Sequence, residues 1–150
     1  MTNALTDDQI AQCLRNAAEE LLNAAINLTS RFQIQGADAE REYDSLERVV
    51  AALEPCRVPP AGAIVGGRMQ PPQPLELTDD LFQNIGLRRG DVSLAIGRLL
   101  LIEATPQKTP PLSRGAESII KQIEQQGAES DLVQKMRIWF AKLAVIRDYL

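Results

Sequence analysis

The sequence contains no histidine, and that one absence removes several mechanisms together. Ser-His-Asp and Cys-His catalysis use imidazole as the base. Di-iron helical bundles need it in their Glu-x-x-His ligand pairs, and zincin motifs cannot be written without it. Cysteine is scarce as well. Cys13 and Cys56 are the only two, too few for a disulfide framework and, without histidine, too few for a zinc site. Cys13 follows the apolar side of a helical pattern next to Leu14, where cysteine behaves as a small hydrophobe. Cys56 lies beside a proline-rich stretch that does not place it, and an exposed thiol is one reading. No cofactor and no metal is expected.

Long apolar runs are missing too. None approaches the roughly 18–20 residues of a membrane span, so no membrane partner is expected. The start, Met-Thr-Asn-Ala-Leu-Thr-Asp-Asp, has neither the basic nor the apolar region of a signal peptide. A cytoplasmic or virion setting is expected rather than secretion. Positive charge is in short supply at the front of the chain. Residues 1–75 carry 6 Lys+Arg against 10 Asp+Glu and residues 76–150 carry 10 of each, which accounts for the net charge of −4. Such a balance lacks the general positive field of non-specific phosphate binding. Nucleic acid would need a local basic patch.

Carboxylates offer the remaining route to catalysis. Glu19-Glu20 and Asp44-x-x-Glu47 are the candidates, but Asn23 stands where a paired Glu-x-x-Glu would need its second acid. The pattern of the all-helical nucleotide pyrophosphatases is therefore incomplete, and solvated helix faces are the expected reading. The chain is not expected to be an enzyme.

What is present is helical periodicity. Thr6-Asp7-Asp8-Gln9 is a capping box, followed by a stripe through Ile10, Leu14, Ala17, Leu21, Ala24, Leu28 and Phe32. This predicts a helix over about 6–33. A second runs over about 37–53, with Tyr43, Leu46, Val50 and Leu53 inside, and Pro55 stops it. The short connection predicts an antiparallel hairpin. Thr78 caps a short helix that ends at Gly86. The next segment starts at Gly90-Asp91 and reaches 104 with nearly continuous apolar content, which suits a buried helix or a strand, and its length and N-terminal Asp favour helix. A fifth helix spans about 113–126, and a sixth runs from a Ser130 cap to the end. The expected fold is all-α: an N-terminal helical hairpin (1–54), a Pro/Gly-rich extended arm (55–76) and a C-terminal bundle of three to four shorter helices (77–150).

The arm holds six of the nine prolines and three of the nine glycines between Pro55 and Leu75. Proline removes a backbone donor and glycine is costly to order, so regular structure is not expected there. Gly62-Ala-Ile-Val-Gly66-Gly67-Arg68-Met69 resembles a phosphate loop in glycine spacing alone. The expected lysine is arginine and the expected Ser/Thr is methionine. Ordering such an arm costs roughly 1–2 kcal/mol per residue, which makes sense if it lies on a partner. Val58, Ile64, Val65 and Met69 are its candidate contact residues.

Two further stretches invite a partner. In the sixth helix Leu132, Met136, Trp139, Leu143, Ile146 and Leu150 are spaced 4, 3, 4, 3, 4. They either close the chain's own core or form a subunit interface with Met136, Trp139 and Leu143 at its centre. Lys135, Arg137, Lys142 and Arg147 flank this stripe and suit the acidic second helix, in the same chain or a neighbouring one. Residues 78–100 resemble a helix-turn-helix, with Gly86 at the turn and Leu81, Ile85 and Val92 at inner positions. Phe82 and Ala95 depart from the usual sizes. The resemblance implies that Ser93, Leu94 and Arg98 face a DNA groove while Arg88 and Arg89 touch phosphate. Two core helices joined at a glycine explain the same residues. The expected function is a non-enzymatic structural component of a multi-subunit assembly, such as a viral or phage particle of connector or adaptor type. Its expected partners are copies of itself or neighbouring subunits, with DNA regulation or packaging as the alternative.

Overall fold

Local chemistry marks where three of the six helices begin. The Thr6 hydroxyl accepts from the Gln9 amide at 3.2 Å and the Gln9 side chain accepts from the Thr6 amide at 2.9 Å. α1 (Asp7–Arg31) follows from that box. A computed structural model describes residues 5–57, 64–65, 68–69, 75–105 and 111–150. Val58, and the side chains of Ile64, Val65 and Met69, lie outside the described residues. The other helices are α2 (Ala37–Ala52), α3 (Asp79–Ile85), α4 (Arg89–Ala104), α5 (Arg114–Gln125) and α6 (Ser130–Tyr149). Thr78 caps α3 by accepting from the Leu81 amide at 3.1 Å, and Ser113 caps α5 by accepting from Ala116 at 3.1 Å. α6 is capped at Glu129 without a side-chain bond, so Ser130 is its first residue rather than its cap. The fold is all-α.

α6 is the central helix, packed against α1, α2, α4 and α5. Being surrounded, it buries far more than one stripe: Leu132, Met136, Phe140, Leu143, Val145 and Ile146 are all inside. The inner face of α2 also differs from expectation. Ala39, Glu42, Leu46, Val49 and Leu53 are buried, spaced 3, 4, 3, 4, while Tyr43 and Val50 sit at the core margin. A small residue and an acid occupy two of the five inner positions, which hid the stripe from a search for large apolar side chains.

The chain after α2 stays attached to the core longer than its prolines imply. Glu54–Cys56 forms a 3-10 turn with Pro55 in its first positions, and the Cys56 amide donates to the Leu53 carbonyl at 2.9 Å. That turn packs on α1 and α3. Cys56 is therefore fully buried, against the reading of it as an exposed thiol. Arg57 fastens the exit, donating to both Glu54 carboxylate oxygens at 3.0 Å and to Glu19 of α1 at 3.3 Å. Further on, β1 (Ile64–Val65) and β2 (Arg68–Met69) pair antiparallel, with Val65 opposite Arg68 and Ile64 opposite Met69. Regular structure does occur within the stretch expected to lack it.

A pair of glutamines joins α5 to the α1–α2 connection. The Gln33 amide donates to Gln126 Oε1 at 2.9 Å and Gln126 Nε2 returns a bond to the Gln33 carbonyl at 2.7 Å. Gln35 and Gln122 repeat the exchange at 2.8 and 2.7 Å. The match is geometric. Alternate residues of an extended chain lie about 6.6 Å apart, and positions four apart on a helix rise about 6 Å. Replacing both Gln122 and Gln126 by alanine removes four hydrogen bonds and is expected to cost about 2 kcal/mol at roughly 0.5 each. Chemical denaturation measures the loss, and faster amide exchange at Gln33 and Gln35 localises it.

Candidate functional site

Apolar side chains on α4 point both inward and outward. Val92, Ala95, Ile96, Leu99 and Ile102 are buried. Leu94, Leu100 and Leu101 are 62%, 36% and 64% exposed. At about 100° per residue, Gly90, Leu94, Gly97 and Leu101 fall within roughly 60° of arc. A Cβ added at Gly90 or Gly97 would meet nothing within 4 Å. The outer face of α4 is therefore a smooth, uncharged strip with two leucines standing out of it. The expectation of an all-round buried helix is corrected by this arrangement. The apolar content comes from two stripes of the same period, and only one of them is covered.

The strip has charged margins. Asp91 and Arg98 lie seven residues apart on one flank. Arg98 donates to Asp148 of α6 at 3.3 Å and stands over the Tyr149 ring, 5.7 Å from its centroid. These contacts hold its guanidinium above the usual arginine pKa, Tyr149 first and Asp148 also contributing, with burial opposing. Arg89 pairs with Asp79 and lies 5.2 Å from the Phe82 ring centroid. At the end of the strip, Leu150 is 46% exposed beside Gly86.

The residues expected to meet DNA are gathered at this helix. Gly86 adopts a left-handed conformation (φ 79°) at the end of α3, a backbone state that glycine enters without a steric penalty. Residues 86–88 connect α3 to α4, and Arg88, Arg89, Ser93 and Arg98 are all exposed. Arg89 and Arg98 already face carboxylates, however, and the outer strip between them is apolar.

The expected interface on the sixth helix is not available. Met136 and Leu143 are fully buried in the chain's own core, and Trp139 is half-buried against it. Phe140, not Trp139, is the aromatic residue inside. Three of the four flanking cations are engaged in the same chain, while Lys135 is exposed. Arg147 reaches Glu42 and Ser45 of α2 at 3.1 Å, as expected of the acidic second helix. Arg137 instead meets Glu117 of α5, and Lys142 meets Glu20 of α1 and Glu103 of α4 at 2.6 and 2.8 Å.

Groups suited to chemistry are placed unfavourably for it. Burial, foremost, pushes both the Cys13 and Cys56 thiols up to about 11, and a thiol must ionise to act as nucleophile. Among the described residues no cluster of three or more His, Cys, Asp or Glu could hold a metal ion. One open hollow is lined by Gln33, Gln35, Gln122 and Gln126, and the side-chain amides of Gln122 and Gln126 are already paired with the backbone of Gln35 and Gln33. No helix among the described residues is long and apolar enough to cross a membrane. Sequence reasoning named Leu94 and Arg98 only as groove-facing residues and missed Gly90, Asp91, Gly97 and Leu101. The available signal was the second stripe, spaced 4, 3, 4.

The chain matches no protein-family model, no curated protein and no solved structure.

Proposed function

We propose that the protein is a non-enzymatic structural component that makes protein–protein contacts within a multi-subunit complex, of the kind found in viral or phage particles as connectors or adaptors. In this reading an N-terminal helical hairpin and a C-terminal bundle form the scaffold, the Pro/Gly-rich arm reaches towards a neighbour, and the outer face of α4 is the principal contact surface. The supporting observation is the exposure of Leu94 and Leu101 on an uncharged strip of an otherwise packed helix. Helices that dock in grooves present anchors at such spacing. At about 25 cal/mol per Å², covering leucines of this size is worth roughly 1.5–3 kcal/mol each.

Light scattering on the full chain tests the proposal. The wild type is expected to be a defined oligomer, and a Leu94→Lys/Leu101→Lys variant is expected to fall to the 16.5 kDa monomer. Its melting temperature should stay close to that of the wild type, because exposed substitutions usually change stability by no more than about 0.5 kcal/mol. Equal masses for the two proteins would remove self-assembly through α4. DNA binding through the same helix is the second reading, favoured by the α3–Gly86–α4 spacing. A monomeric wild type that binds duplex DNA at low salt, and loses that binding in Arg88→Ala/Arg98→Ala, would establish it instead.

A further inference from the structure

We infer that the occupant of the α4 strip is a second copy of this chain, with the two α4 helices antiparallel about a two-fold axis level with Leu94. This rests on the assembly reading above and specifies its geometry. The argument comes from charge. Asp91 and Arg98, on the same flank of the strip, are about 10.5 Å apart along the axis. When two copies of a helix pack antiparallel about a two-fold axis, the same flank of each faces the other with its direction reversed. An axis passing between residues 94 and 95 then sets Asp91 of each copy opposite the second copy's Arg98. Two reciprocal ion pairs result from one sequence, as an isologous interface requires. A parallel pair would set these charges against the opposite flank, where Ser93 and Leu100 carry none and Arg89 is already paired with Asp79, so Arg98 would find no carboxylate there.

The apolar middle agrees with that register. Leu94 meets its counterpart at the axis, and Gly90 and Gly97 leave open space on either side of it. Small residues at such positions let two helices approach closely. Leu101 then lies over the first turn of the second copy's α4. Asp91 makes no ion pair among the described residues. Arg98 gives one nitrogen to Asp148, which leaves most of its five donors for a second carboxylate.

A charge swap tests the geometry. Dissociation constants are measured by sedimentation equilibrium at low salt for wild type, Asp91→Arg, Arg98→Asp and the double swap. Circular dichroism melting confirms that each folds. Each single change sets like charges together twice and is expected to weaken the dimer at least tenfold. The double swap restores opposite charges and is expected to return within about threefold of wild type. A double swap as weak as the singles overturns the antiparallel register, and so does a dimer indifferent to all three. If that indifferent dimer is still lost in Leu94→Lys/Leu101→Lys, assembly through α4 survives without this geometry. A monomeric wild type overturns the second copy as occupant, and a dimer indifferent to the leucine changes removes the α4 reading itself.

Discussion

Lys142→Ala is expected to lower the unfolding free energy by about 3 kcal/mol. Lys142 is 2% exposed, and its ammonium donates to Glu20 and Glu103, joining α6 to α1 and α4. Breaking a buried ion pair by removing one partner costs about 3–5 kcal/mol, because the remaining charge is left without compensation. Here the glutamate side chains are 30% and 39% exposed and regain some hydration, which places the loss at the lower end. For a chain of this size, 3 kcal/mol is a fall of about 6–12 °C in melting temperature. Neutralising the whole cluster is a different experiment. Lys142→Met with Glu20→Gln and Glu103→Gln should recover most of the loss, since apolar or neutral replacements of buried ionic groups are often tolerated. A Lys142→Ala protein within 1 kcal/mol of wild type would show that the cluster contributes little.

The pH dependence has a definite sign. Burial pulls the Lys142 ammonium down, but the hydrogen bonds and charges of Glu103 and Glu20 outweigh it and hold the group above its ordinary value. A raised lysine contributes fully below its unfolded pKa, and the contribution disappears as pH rises through the folded one. The thiols of Cys13 and Cys56, raised by burial from 9.0 to about 11, act in the same direction. The unfolded chain releases those protons first, so stability falls from about pH 9 upward. Lys142→Ala should remove only the lysine's own share, which begins above about pH 10.5 and overlaps that of Tyr43, whose phenol burial pushes up to about 12. Urea denaturation from pH 7 to 11.5 separates the lysine's share from the rest.

Gly115→Val carries the second large effect, about 3 kcal/mol of destabilisation. At this point α2 and α5 are in backbone contact. A Cβ on residue 115 would stand 2.5 Å from the Asp38 carbonyl oxygen and 2.7 Å from Glu42 Cβ. Neither neighbour is the free end of a flexible side chain, so the helices must separate. Overpacking costs typically 1–3 kcal/mol, and a β-branched residue adds its own restriction within a helix. Separation would also disturb Glu42, which is 7% exposed and paired with Arg147. Gly115→Ala gains about 1 kcal/mol of helix propensity against the same clash, so its net loss is smaller, about 1–2 kcal/mol. Thermal and urea unfolding check both variants. A Gly115→Ala protein more stable than wild type would mean that α2 and α5 do not approach this closely.

The helices were legible in the sequence because the forces that place their ends are local. The Thr6–Gln9 box, the Thr78 and Ser113 caps and the glycine after α3 each act within three or four residues. The all-α class follows from them, as does the exclusion of imidazole chemistry, which composition alone decides. Which face of a helix is covered is another matter. α4 carries two uncharged stripes of helical period, and only the packing of α1 and α6 shows that Val92, Ile96 and Leu99 are covered while Leu94 and Leu101 are left open. The Lys142 contact with Glu20 crosses 122 residues of sequence, and the glutamine contacts cross 87 and 93. In α6, Met136 and Leu143 are well spaced for an interface, yet they are buried because four other helices surround them. The period of a helix is a property of nearest neighbours along the chain, and the sequence by itself determined it. Burial depends on what arrives from elsewhere in the chain, so only the tertiary structure decided which stripe became core and which remained exposed.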